Sequence, residues 1–274
     1  MFNRLRLPKG FGFTIPLFLL ITIFFNFPLI YMLGLSLFSP NPTLEHYAQI
    51  FENPVYLEIV ADTFRIAFIT AGIATLMGYP LAYWITKLSL SKQIIAVTII
   101  ILPFFVSILV RTYAWIVMLG NAGVINGTLL KLGLIGSPIQ FLYDEIGVVI
   151  GTINILLPFM VLPLYATMVQ FDRRLLLAAS SLGAKPFTVF RRVYLPLTLP
   201  AIVSGASLVF ILTLGFFVTP AILGGGKVQM TATLLDFLIN HYPDWEVAAG
   251  IATVLLIVTL LFYFLFQRGG TKTT

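Results

Sequence analysis

The chain has 274 residues, 59% of them hydrophobic and only 9% charged, where an ordinary soluble domain carries about 25% charged residues. Too few charges remain to cover a water-facing surface, which excludes an ordinary soluble enzyme, and the apolar excess excludes disorder. The net charge is +6, cysteine is absent and histidine occurs twice, so the sequence offers no disulfide, no thiolate nucleophile and too few ligands for a histidine metal site.

A helix needs roughly 20 apolar residues to cross a bilayer. Six stretches qualify, at residues 15–37, 64–85, 94–119, 146–169, 201–223 and 247–266. Lipid cannot satisfy bare backbone groups, so these stretches read as helices and the chain as an all-α polytopic membrane protein. Uninterrupted runs such as 251–266 contradict the short alternating segments of a membrane β-barrel. The first stretch is too long for a signal peptide and Phe38-Ser39-Pro40 is no small-residue cleavage site, so it reads as a retained helix. The whole of 1–274 reads as a single transmembrane domain with no room for a soluble catalytic module.

The charges divide by loop. The N-terminus, loop 86–93, loop 170–200 and the C-terminus hold twelve Lys or Arg and a single acid, Asp172. The opposite side holds nine acids and four basic residues, including Arg65 and Arg111 in the second and third spans. The positive-inside rule puts the first set in the cytoplasm, with both termini there too. The outer loops 38–63, 120–145 and 224–246 are rich in Pro, Gly and Asn and read as surface segments or partial helices.

Loop 170–200 carries more information. Asp172 is placed to cap a helix through Leu175–Leu182, Gly183 permits a left-handed turn, and Lys185-Pro186 opens a second short helix. Phe187, Phe190 and Tyr194 follow at helical spacing, flanked by Arg191 and Arg192. A basic loop that only fixes orientation would account for the charge; the helix–glycine–helix pattern with an exposed apolar knob fits a docking element for another protein.

Within the spans, Arg111 is the lone ionisable residue deep enough to cost about 2.5–3.5 kcal/mol at a helix centre, and it reads as an anchor, an interhelix pair or a path residue. No carboxylate falls inside the six spans. A path for a cationic solute would then draw on aromatic faces, with Tyr83, Tyr113, Trp115, Phe216 and Phe217 as candidates and Asp236 as an acid at the outer mouth. Each of the aromatics could equally face lipid or pack between helices. Pro103, Pro158 and Pro163 should kink their spans, and Gly72, Ala74, Gly205 and Ala206 suit close helix packing.

Ala178-Ala179, Gly183 and Leu195-Pro196 resemble the E-A-A…G…L-P signature of binding-protein-dependent ABC importer permeases. The likeness runs through most of the chain. Gly78-Tyr79-Pro80-Leu81-Ala82, Pro103-Phe104-Phe105, Arg111-Thr112-Tyr113-Ala114-Trp115, Leu156–Tyr165 and Leu223-Gly224-Gly225 resemble the spermidine/putrescine branch. The resemblance implies a type I ABC importer permease fold in a bacterial inner membrane. It also implies a coupling loop in which Leu177, Ala178, Ala179, Ser180, Gly183, Ala184, Lys185, Pro186, Leu195 and Pro196 serve docking on an ATPase. The expected partners are a second homologous permease, two cytoplasmic ATPase subunits that bind ATP and Mg, and an external solute-binding protein; no cofactor and no nucleic acid are expected on this chain. Leu177 stands where the signature has Glu, so either the partner groove is apolar there or the second permease supplies the acid. Related branches carry opines, amino-acid derivatives or ferric iron. The sequence holds no G-x-x-x-x-G-K-[ST] phosphate loop, so ATP must be handled elsewhere. A stand-alone secondary transporter or channel would need an intramembrane proton or ion relay, for which Arg111 is poorly suited.

Overall fold

The computed structural model describes residues 14–39 and 41–271, and all regular structure among them is helical. The basic residues Arg4, Arg6, Lys9 and Lys272 lie outside the described residues. Six helices are long and apolar enough to cross a membrane: Ile15–Phe38, Pro54–Ile85, Ile108–Lys131, Glu145–Val169, Pro186–Leu214 and Trp245–Phe266.

Helix α1 (Ile15–Phe38) widens into a π-helical turn at Thr22–Asn26 and buries only Ser36. Its apolar side chains face outward, as a helix solvated by lipid requires. A short helix α2 (Glu45–Glu52) leads into α3 (Pro54–Ile85). α3 starts ten residues earlier than hydropathy predicts, because Asn53 caps it by accepting from Val55 N at 3.0 Å and Pro54 fits its first turn. Its 32 residues span about 48 Å, well beyond a hydrocarbon core of about 30 Å.

The predicted third span does not form one helix. It divides into α4 (Leu90–Ile101), a 3-10 turn at Leu102–Phe105, an extended break at Val106 and α5 (Ile108–Leu119). Pro103 supplies no N–H and clashes with the preceding turn, so the helix breaks where a kink was expected. α6 (Val124–Lys131) continues beyond Gly120–Gly123. In α7 (Glu145–Val169), by contrast, Pro158 and Pro163 are carried inside an unbroken helix.

The predicted fifth span shifts toward the N-terminus. After α8 (Arg173–Ser181), α9 runs over Pro186–Leu214 and the chain breaks at Gly215 before α10 (Val218–Leu223). A π-turn at Phe190–Tyr194 joins the two parts of α9, so Pro196 and Pro200, expected to precede the span, sit within it. A short α11 (Thr231–Asp236), a π-turn at Phe237–His241 and α12 (Trp245–Thr271) complete the fold.

The core is the three-way packing of α3, α7 and α9. Hydrophobic transfer from lipid contributes little here, so close backbone approach and dispersion hold the helices together. Met160 shows how close. A Cβ on Gly78 would stand 2.9 Å from its Cγ, and one on Gly205 would stand 2.8 Å from its Sδ. Gly72, expected to pack closely, faces open space, and Gly78 takes that role. Phe64, Phe68, Phe210, Phe262 and Phe266 tie α12 onto the trio with ring centroids 4.6–6.1 Å apart for the pairs around Phe210.

Candidate functional site

Two regions concentrate the chemistry, at opposite ends of the bundle. At the basic end, Asp172 caps α8 by accepting from Arg174 N at 2.9 Å. α8 closes with Gly183 at φ +80°, Gly183 N donating to Ser180 O at 2.9 Å and Ala184 N to Ala179 O at 3.2 Å. This pair of bonds is a Schellman closure, which needs a residue free to adopt positive φ. Lys185 then caps α9, with Pro186 at its first position.

Ala178, Ala179, Ser180 and Ala184 form the spine of this turn, while its large apolar residues point outward. Leu177 is 67% exposed, Leu182 89% and Phe187 71%. The aromatic stripe therefore divides. Phe187 joins the outward knob, whereas Phe190 and Tyr194 root the segment in the bundle. Phe190 packs edge-on against Tyr79 of α3, and buried Tyr194 meets Tyr83 edge-on at 5.3 Å between centroids. Thr198 and Tyr79 share a hydroxyl hydrogen bond at 3.1 Å. Leu195 and Pro196 follow the π-turn and continue α9.

Tyr83 is thus a rivet between α3 and the Phe190–Tyr194 turn, with the Lys87 ammonium 4.7 Å from its ring centroid. It lies far along α3 from the acidic end. Phe216 is likewise packed against the core cluster.

At the acidic end, α3, α5 and α7 enclose a cleft of about 730 Å³. Ile69, Ile73 and Met77 form one wall, Trp115 another, and the face of α7 from Asp144 to Leu157 the third. Asp144 caps α7 by accepting from Ile146 N at 3.0 Å. Glu145 accepts from Arg65 at 2.6 Å, and Arg65 also pairs with Asp62 at 3.2 Å, joining the mouths of α3 and α7. Sequence reading left Asp144 and Glu145 in a loop. Their signal was an Asp-Glu pair directly before an apolar run, the usual mark of a helix start.

Arg111 lies in the first turns of α5, about 12 Å of helix from its end at Leu119. Its guanidinium stands 6.0 Å from the Phe104 ring centroid, and Nε and Nη1 are buried without a hydrogen-bond partner among the described residues. Tyr113 points away from Trp115 and is exposed.

A second cleft of about 200 Å³ opens where the chain breaks between α9 and α10. It brings Phe217 and Asp236 together, as candidate path residues, with Gln229, Phe237 and His241. The turn that shapes it is fixed by glycine. Gly225 has φ +55°, and a Cβ there would overlap the ring of Tyr143. Tyr143 itself holds φ +60° while its N–H donates to Leu223 O at 2.9 Å. Leu223-Gly224-Gly225 is thus a structural clasp.

Residues 72–269 match the family described as binding-protein-dependent transport system inner membrane component. The chain is 35% identical to the spermidine/putrescine transport system permease protein PotB of Haemophilus influenzae, covering 86% of this chain and 82% of that one. It is 32% identical to PotB of Escherichia coli, over 83% and 82%. It is 30% identical to the putative 2-aminoethylphosphonate transport system permease protein PhnU of Salmonella typhimurium, over 94% and 91%. A chain of a bacterial ABC transporter involved in the import of the acidic polysaccharide alginate superposes with a TM-score of 0.74 at 18% identity, covering 97% of this chain and 96% of that one. That likeness confirms the type I importer permease fold. With the fold, the family match and the relatives in agreement, this chain belongs to the binding-protein-dependent inner-membrane permeases of ABC importers.

Proposed function

We propose that this permease frames the path of an ATP-driven importer for polyamines such as spermidine and putrescine. The observation that carries the solute is the 35% identity to a spermidine/putrescine permease across most of both chains. The acid-lined mouths of both clefts agree with a cationic cargo. In this reading the basic end faces the cytoplasm, both termini lie there, and the acidic end receives a loaded binding protein. A second homologous permease completes the path. Two ATPase subunits hold ATP and Mg and dock on the outward knob of Leu177, Leu182 and Phe187.

The chain's own contribution is mechanical. ATP-driven closure of the ATPases would move α8 and the start of α9. The Tyr194–Tyr83 and Phe190–Tyr79 contacts and the Thr198–Tyr79 hydrogen bond then pass that motion to α3, which walls the large cleft. The Arg65–Glu145 pair across the mouth is exposed and weak enough to break during a switch of access.

The test is uptake by the complete complex in vesicles supplied with its binding protein. Labelled spermidine and putrescine should enter with ATP and compete with each other, while opines and ferric iron should not. Uptake of neither polyamine would overturn the solute assignment. One observation favours a second reading. Arg111 Nε and Nη1 find no hydrogen-bond partner among the described residues, and PhnU is matched over 94% of this chain. A solute bearing both an amine and an anionic group would satisfy that cation, and 2-aminoethylphosphonate in the same assay decides between the two.

A further inference from the structure

We propose that the cleft at the break between α9 and α10 is a subsite for the primary alkylammonium end of the transported solute. It rests on the reading above that the solute is an amine, and both solutes considered there carry such an end.

The case begins with the fate of the acids. Asp144 and Asp244 cap helices through Ile146 N and Val247 N. Asp62 and Glu145 share Arg65, and Glu246 accepts from Ser39 at 2.9 Å. Glu45, Glu52 and Glu58 stand exposed outside both clefts, and Asp236 alone is both uncommitted to these tasks and set in a cleft. One of its oxygens accepts from the Asn240 amide at 2.8 Å, and no cation pairs with it among the described residues. It is half-buried in a concave site that Phe217, Phe237, His241 and Gln229 line among small and aliphatic residues.

The surrounding chemistry suits an ammonium. Phe217 and Phe237 present rings to the same cleft, and Gln229 adds an amide able to accept a hydrogen bond. A carboxylate with two aromatic faces binds a cation in a way water alone does not, since ring quadrupoles favour positive charge once it is partly desolvated. His241 stacks on Phe237 at 5.9 Å between centroids. Size is also selective. About 200 Å³ holds the equivalent of about seven waters, which fits an ammonium with about four methylenes, so spermidine enters by one end only. The clasp of Tyr143 and Gly225 and the buried Met230 and Leu234 hold the walls in place. A subsite for one end leaves the other end of the solute free to pass on, as transient binding in a path requires.

The absence of cysteine gives a direct test. Ala221 lines the cleft and is exposed, so Ala221→Cys places one thiol of this chain there. In the complete complex, its labelling would be followed by mass spectrometry with two methanethiosulfonates of equal length, one ending in an ammonium and one in a sulfonate. Relative to the rates of the two reagents with free cysteine, the ammonium reagent should react about tenfold faster, the factor that one charge-assisted contact supplies. Spermidine should slow it, and Asp236→Asn, which keeps the shape, should abolish the preference. Equal rates for the two reagents, or a preference that survives Asp236→Asn, would overturn the subsite. Labelling needs no transport, so polyamine uptake without the cation preference sinks the subsite alone, while the preference without amine uptake sinks the solute assignment alone.

Discussion

Residues 172–194 and 218–241 are built to the same plan and end in opposite states. Each is a short helix, a turn with glycine at positive φ, a second helix and a π-helical turn. In 218–241 most apolar residues are spent within the chain, with Leu223, Met230, Leu234 and Leu238 all buried and Phe237 left open to the cleft. In 172–187 no side chain of α8 among the described residues is buried, and Leu177, Leu182 and Phe187 stand in the open. Local sequence sets the turn in both; what differs is where the apolar surface is satisfied. One segment finishes most of its packing internally and shapes a cleft, and the other leaves its apolar surface exposed.

That contrast is broken most severely at Gly225. Gly225→Val adds backbone strain at φ +55° and drives a side chain into Tyr143, which together cost about 2–4 kcal/mol. A large fall in the thermal midpoint of the purified protein in detergent is the expected outcome. Gly183→Val is the matched probe on the other segment. It carries φ +80° but meets nothing within 4 Å, so the cost is confined to strain of about 1–2 kcal/mol. The bundle should stay folded while ATP hydrolysis uncouples from uptake, and wild-type uptake by this variant would refute the docking role. Asp172→Ala removes a cap worth about 1 kcal/mol and should lower uptake moderately, through fraying of α8, with little change in the midpoint. Leu177→Glu is the mildest. The position is exposed, so stability should be unchanged, transport should persist or couple better, and loss of assembly with the ATPase in a pull-down would contradict it.

The six spans, the cap at Asp172, the turn at Gly183 and the helix start at Pro186 were all legible in the sequence, because each rests on local chemistry. The breaks were not. Pro103-Phe104-Phe105-Val106 is apolar throughout, so hydropathy averages across the discontinuity before α5. The reverse error arose at Pro196 and Pro200. Proline marks helix starts in general, yet the π-turn at Phe190–Tyr194 runs straight into Leu195–Leu214 with Pro196 in its first turn, and Pro200 is carried inside the helix as Pro158 and Pro163 are in α7. The site residues split along the same line. Trp115, Phe217 and Asp236 do line clefts, but Tyr83 and Phe216 turned out to be packing residues. Which face an aromatic presents is decided by tertiary packing, and no single-residue signal in the sequence carries it.

In the proposed reading, this chain carries solute only when an ATPase occupies its outward knob. Isolation of the chain from native membranes under mild detergent tests it most directly, by identifying what co-purifies and then assaying spermidine uptake in vesicles. The prediction is that ATPase subunits and a second permease accompany it, and that uptake requires both ATP and the binding protein. A chain that purifies alone and carries spermidine without ATP would contradict the account.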